Sequence, residues 1–120
     1  MIELTLPLPP NRANAREHWR VTSKNKKEYH QRTQTHILCT YRKPLNWPNG
    51  RVTLTATLYV WAKMDPDNCV ARLKWPIDCL VRTGWLKDDN EKWLDFREIP
   101  KQVVDRKNQR VVIRLEEAKK

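Results

Sequence analysis

The stretch Val52-Thr53-Leu54-Thr55-Ala56-Thr57-Leu58-Tyr59-Val60-Trp61 alternates β-branched and apolar residues over ten positions. A repeat of two suits a pleated strand, whose successive side chains point to opposite faces of a sheet. A lone strand is not stable in water, so the chain must supply partners for it. Three segments qualify. Ile2-Glu3-Leu4-Thr5-Leu6 alternates and is closed by Pro7, Pro9 and Pro10; Trp93 to Ile99 is closed by Pro100; Arg110 to Leu115 contains Val111, Val112 and Ile113.

Helical signals lie between these strands. Ser23 can cap a helix over about 24–41, with Glu28 in its early turns and Tyr29, Ile37, Leu38 and Tyr41 as its apolar members. Pro44 through Asn49-Gly50 is a turn-rich connector. Asp65-Pro66-Asp67-Asn68 is a stronger helix start, with Asp at the N-cap and Pro at the first helical position. Val70, Leu73, Ile77, Leu80 and Val81 then recur at spacings of three and four, which makes a stripe that packs on a sheet. Pro76 should bend this helix in its middle, Gly84 should stop it, and Trp85-Leu86 should pack beyond the stop. The order β-α-β-α-β-β predicts a single α+β domain over residues 1–120. It would hold a small mixed sheet of about four strands, with one hairpin, two helical crossovers and two helices packed on it.

The charge narrows the function. The 120 residues carry 24 Lys and Arg against 14 Asp and Glu, a formal charge of +10 with 39% apolar residues. That composition is too apolar for a disordered tail, and an excess of cations on a folded domain points to a polyanion, nucleic acid first. No apolar run approaches the ~20 residues that span a bilayer, and Met1-Ile2-Glu3-Leu4 does not resemble a secretion signal. Cys39, Cys69 and Cys79 have no metal-ligand spacing and read as reduced, mostly core residues of a cytoplasmic protein. The cations are unevenly placed. Residues 12–43 carry nine Lys and Arg against two Glu, whereas residues 63–99 carry eight acids against seven bases. A protein that only coats DNA loses affinity with each acid it places near phosphate.

Among these acids, Asp65 and Asp67 stand at the mouth of the second helix and Asp88 and Asp89 follow its end. A helix of ~17 residues separates its ends by ~25 Å, so the return segment must bring the second pair back for all four to meet. Carboxylates gathered in one pocket repel unless a divalent cation neutralises them, and carboxylate oxygen is the natural ligand of Mg²⁺ or Mn²⁺. A metal held so beside a phosphate can activate water for phosphodiester hydrolysis. Asp65 is equally well read as a helix cap, and Asp67 as a complement to the helix dipole. Lys74 lies seven residues past Asp67, nearly two turns, with small Ala71 between. It can face the same way and stabilise charge on a phosphate. It can also pair with Asp78 at i,i+4.

Asp65-Pro66-Asp67-Asn68, Lys74, Asp78, Leu80, Gly84 and Asp88-Asp89 form the pattern D-x-D-N…K-x-x-x-D-x-L-x-x-x-G-x-x-x-D-D. This resembles the RusA family of Holliday-junction resolvases, common in phages and prophages. The opening Leu6-Pro7-Leu8-Pro9-Pro10, with Asn14 and Trp19-Arg20, is similar to that family's first strand and Pro-Pro loop, so the likeness covers nearly the whole chain. The resemblance implies a homodimer, in a bacterial or phage-infected cytoplasm, that binds four-way DNA junctions and nicks two opposing strands symmetrically with Mg²⁺ or Mn²⁺. It implies metal ligation by Asp65, Asp67 and Asp89, with Asp88 beside them, and a catalytic Lys74. The family's short form places the lysine about four residues after the second aspartate, not seven; about 400° and 700° of helical turn reach much the same face.

DNA arms are expected on Arg12, Arg16, Arg20, Lys24, Lys26, Lys27 and Lys63. Trp19, in a loop among arginines, can stack on an exposed base or anchor that loop to the core. Cys69 reads as packing rather than as a nucleophile; His18, His30 and His36 lack metal-site spacing, and His30 and His36 read as ordinary polar residues on a basic helix. The alternative to a nuclease is a non-catalytic basic DNA- or RNA-binding protein, which the net charge alone would fit.

Overall fold

The computed structural model describes residues 2–9, 19–48, 50–96 and 98–117. Its elements are β1 (Ile2–Pro7), α1 (Trp19–Thr40), β2 (Val52–Val60), α2 (Pro66–Arg72), α3 (Lys74–Arg82), β3 (Leu94–Phe96), β4 (Lys101–Val104) and β5 (Arg110–Glu117). The alternating stretch is the central strand. β2 buries Val52, Leu54, Ala56, Leu58 and Val60, while Thr53, Thr55, Thr57 and Tyr59 on its other face are half-exposed. The mixed α+β architecture is as expected.

Strand pairing departs from the simplest reading of the sequence. The sheet runs β1-β5-β2-β3, with antiparallel β1–β5 and β5–β2 pairs and a parallel β2–β3 pair. A fifth strand, β4, follows Pro100 and pairs parallel with the far end of β2. The expected strand over 93–99 is therefore only the three-residue β3, and β4 is a further strand that the sequence reading did not foresee, laid after it along β2. No hairpin joins them to β5, which inserts between β1 and β2 and buries Val111, Ile113 and Leu115 from the middle of the sheet. Fully burying each such aliphatic side chain stabilises the fold by about 1.5–3 kcal/mol.

α1 starts at Trp19, so Ser23 lies inside the helix and does not cap it. Its inner stripe is Tyr29, His30, Thr33 and Ile37, whereas Leu38 is 68% exposed. Leu38 sits about 100° around the helix from Ile37, off the face that meets α3 and the sheet. The stripe is completed by two polar residues, which is why it looks thin in the sequence.

The second helix is broken, not merely bent. Pro76 lacks an N–H, and its ring excludes the carbonyl four residues earlier. The α-ladder stops accordingly at Leu73, which caps both α2 and α3 with φ −79° and ψ −11°. Its N–H donates to the Val70 carbonyl at 3.1 Å, and its carbonyl accepts Ile77 N–H at 3.0 Å. Leu73 itself is wholly buried. At the other end Gly84 takes φ +84°, its N–H donates to Val81 (3.1 Å), and Trp85 N–H reaches back to Leu80 (2.9 Å). This is the Schellman stop, with Trp85 and Leu86 buried beyond it as the sequence predicts. Cys69 and Cys79 are buried and Cys39 is exposed. Among the described residues no helix is long and apolar enough to cross a membrane.

Candidate functional site

Asp65 precedes α2 in extended conformation (φ −62°, ψ 149°), and its carbonyl accepts the N–H of Asn68 (3.0 Å) and Cys69 (3.2 Å). Its side chain makes no capping hydrogen bond. The backbone and Pro66 suffice to start the helix, so the exposed carboxylate is not explained as a cap. Asp67 follows in the first turn, also exposed. Three and four residues on, which is the same helical face, come Val70 and Ala71. Both line a cleft of about 550 Å³, within the range of small-molecule sites.

Lys74 opens α3 and lines the same cleft. The helix break places it there, and among the described residues it forms no ion pair with Asp78. Asp78 instead stands 3.9 Å from His30 Nε2 at the α1–α3 seam. His30 is thus a buried residue, 4% exposed, not an ordinary polar position on a basic helix. Burial and the nearby Arg82 hold its imidazole below the usual histidine range, against the opposing effect of Asp78.

The loop after α3 supplies the facing wall. Asp88 Oδ1 accepts Asp89 N–H at 2.7 Å, and its Oδ2 accepts Asn90 Nδ2 at 3.2 Å. Asn90 in turn accepts Lys92 N–H on its side chain (3.1 Å) and Trp93 and Leu94 N–H on its carbonyl (3.1 and 2.9 Å). Both Asp88 oxygens are therefore engaged in folding the loop, while Asp89 lines the cleft with Glu91. Leu94, Asp95 and Phe96 of β3 continue this wall, and Arg51 closes it with its guanidinium 3.8 Å from Asp95.

Lys74 and Asp89 thus share one cleft, and Asp67 stands one turn from its α2 wall. Asp65 and Asp88 are not among the residues that line it. Among the described residues no group of three or more His, Cys, Asp or Glu converges as a metal cage. For all four aspartates to meet, the return loop has to come back to the helix mouth; it reaches the α2–α3 break, where Asp89 and Glu91 share the cleft with Val70, Ala71 and Lys74. Mg²⁺ commonly takes only one or two protein carboxylates and completes its shell with water and phosphate. The carboxylate oxygens of Asp89, Glu91 and Asp95 are of that donor type.

Arg51, Glu91, Asp95 and Phe96 belong to the cleft and escaped sequence reasoning. Asp95 interrupts two apolar residues at strand spacing, which is the only local signal; the rest depends on the parallel β2–β3 pairing. Among the expected DNA contacts, Arg12 and Arg16 lie outside the described residues, as do the side chains of Trp19 and Arg20. Lys24 and Lys27 are exposed on α1, Lys26 is half-buried, and Lys63 is exposed just ahead of Asp65. None of these four lines the cleft. In comparisons with known proteins, no family model matches the chain and no curated protein matches it.

Proposed function

We propose that the protein is a Mg²⁺- or Mn²⁺-dependent endodeoxyribonuclease that resolves four-way DNA junctions by paired symmetric nicks. The observation that carries this reading is the convergence of Lys74 and Asp89, fifteen residues apart in the chain, on one cleft whose α2 wall continues to Asp67. The likeness of their spacing to the RusA pattern and the net charge of +10 agree with it.

Each group has a distinct task. Lys74, which has no ion-pair partner among the described residues, places an ammonium where a scissile phosphate gains charge. Asp89 would hold the cation at the cleft, Asp67 and Asp65 are the further ligands that the likeness to the RusA pattern implies, and Asp88 keeps Asp89 directed at the cleft through the 2.7 Å bond to its N–H. A Mg²⁺ held there would supply an activated water and stabilise the departing oxygen. The cations of α1 and Lys63 would hold the DNA arms by phosphate contacts, which carry affinity without sequence preference. Cutting two opposing strands symmetrically calls for two such sites related by a two-fold axis, hence a homodimer. Light scattering that finds only the 14.4 kDa monomer, with junction DNA present as well as absent, would contradict this.

The test is a gel assay on a four-way junction and on linear duplex. Wild type should nick the junction in Mg²⁺ or Mn²⁺, and Asp65→Asn and Asp89→Asn should bind it without nicking. No cleavage in either metal ends the nuclease reading, and equal cleavage of linear duplex makes the protein a general endonuclease. A second reading is a nucleic-acid-binding protein without catalysis, which the net charge of +10 alone would fit. On that reading the same two variants bind as well as or better than wild type, with no activity to lose.

A further inference from the structure

Trp61 follows β2 and is 56% exposed, a large aromatic surface that the core does not use. The Arg106 guanidinium stands 4.9 Å from its ring centre, and Arg106 Nε donates to the Trp61 carbonyl at 3.3 Å. Two residues earlier, Tyr59 carries the Arg110 guanidinium 3.7 Å over its ring. The turn between β4 and β5 holds both arginines in place. Asp105 N–H donates to the Val60 carbonyl (2.9 Å), and its carboxylate accepts Arg110 and the N–H groups of Lys107 and Asn108, each at 3.1 Å. The one acid of this turn is therefore matched, and the exposed Lys63, Arg106 and Lys107 leave the corner strongly positive.

We infer that this corner is a stacking platform for unpaired nucleotides, with Trp61 as the base-binding surface and Arg106 and Lys107 as the phosphate contacts. An exposed indole among cations, with its single acid neutralised, complements a base and its phosphate. The exposed charges of the corner, Lys63, Arg106 and Lys107, are all cationic, which favours a polyanion over a protein partner. A duplex hides its base faces, so the platform separates unpaired strands from the general electrostatic grip of α1. The inference rests on the reading of DNA as the partner, and adds to it the recognition of opened strands beside the loop that leads to Asp65.

The test is fluorescence polarisation, in EDTA, with a labelled thymidine oligonucleotide, a blunt duplex and a four-way junction. Trp61→Ala should weaken single-strand binding by about 5- to 150-fold, the range of one lost base stack, and duplex binding by less than about twofold. Trp61→Phe should restore most of the loss, which a merely structural role for the indole would not predict. Arg106→Gln should lower the salt slope on the single strand by about one phosphate. Equal losses on strand and duplex, or no loss on either, overturn the platform alone. A wild type that binds none of the three probes overturns the DNA reading together with it.

Discussion

The two edges of the sheet are built in opposite ways. Along β1 the outward backbone groups are closed by side chains. Thr5 N–H donates to Tyr41 Oη (2.9 Å), and Thr5 carbonyl meets His36 Nε2 (2.9 Å) and Tyr41 Oη (3.3 Å). Tyr29 Oη donates to the Pro7 carbonyl (2.7 Å), and Arg72 Nε to that of Pro9 (2.8 Å). Along the β3–β4 edge the polar residues face outward. Asp89, Glu91 and Asp95 open onto the cleft, and Trp61, Arg106 and Lys107 onto the β4 corner. The lesson is that hydrogen-bonding side chains seal one edge against further pairing, while the opposite edge is broken into two short strands with charged side chains turned toward the cleft and the corner. Gln102 bridges the two roles, since its amide holds both Met64 N–H and Met64 carbonyl at 2.8 Å, one residue before Asp65.

Substitutions on either edge test this division. The largest effect should come from the open one: Lys74→Met and Asp89→Asn should each lower single-turnover nicking by at least about 100-fold, or ~2.7 kcal/mol. Both residues are exposed, so their urea midpoints should shift by no more than about 0.5 kcal/mol of stability. Gln102→Leu should be the variant that affects both properties, with ~1–2 kcal/mol lost as Met64 loses two hydrogen bonds, and with slower nicking. On the sealed edge, Tyr29→Phe should cost ~1 kcal/mol in a denaturant melt and leave nicking unchanged; slower nicking at wild-type stability would break the comparison.

Smaller effects sharpen it. Asp88→Asn keeps an acceptor for Asp89 N–H, so nicking should persist where Asp89→Asn abolishes it, with a stability change of a few tenths of a kcal/mol, about that of other surface changes. His30, at the buried seam behind the sealed edge, should set a pH slope. Its folded pKa lies below that of the unfolded chain, about 6.5, so below that pH the unfolded state takes up the proton first. Stability should be full above about pH 6.5 and fall as the pH drops further, and His30→Gln should flatten that fall in urea midpoints measured across the range. A midpoint that rises on acidification would contradict the burial of a neutral imidazole.

What was legible in the sequence was what is encoded locally. The period-two run of Val52 to Val60, the Asp-Pro start and the Gly84 stop each depend on a few neighbouring residues, and each appears as read. Pro76 was legible as a disturbance, but the sequence did not say that it would end one helix and start another at Leu73 instead of bending a single one. The hidden parts depend on partners distant in sequence. β5 entering between β1 and β2, or β3 and β4 sharing one side of β2, leaves no local mark. His30 and Thr33 were missed because a helix face completed by polar residues has no apolar period. The cleft followed the same rule: Lys74 and Asp89, which line it, were singled out as candidates in the sequence, whereas Arg51, Asp95 and Phe96 join it only through β2–β3 pairing.

Paired cutting is the central claim, and a supercoiled plasmid that extrudes a cruciform reads it directly. Two symmetric nicks across the junction linearise the plasmid, whereas a single nick only relaxes it. With Mg²⁺, wild type should give linear product from the cruciform plasmid and none from a control without the inverted repeat, and Asp89→Asn should give neither linear nor relaxed product. Relaxed circles alone, or a plasmid left intact in both Mg²⁺ and Mn²⁺, would contradict the account.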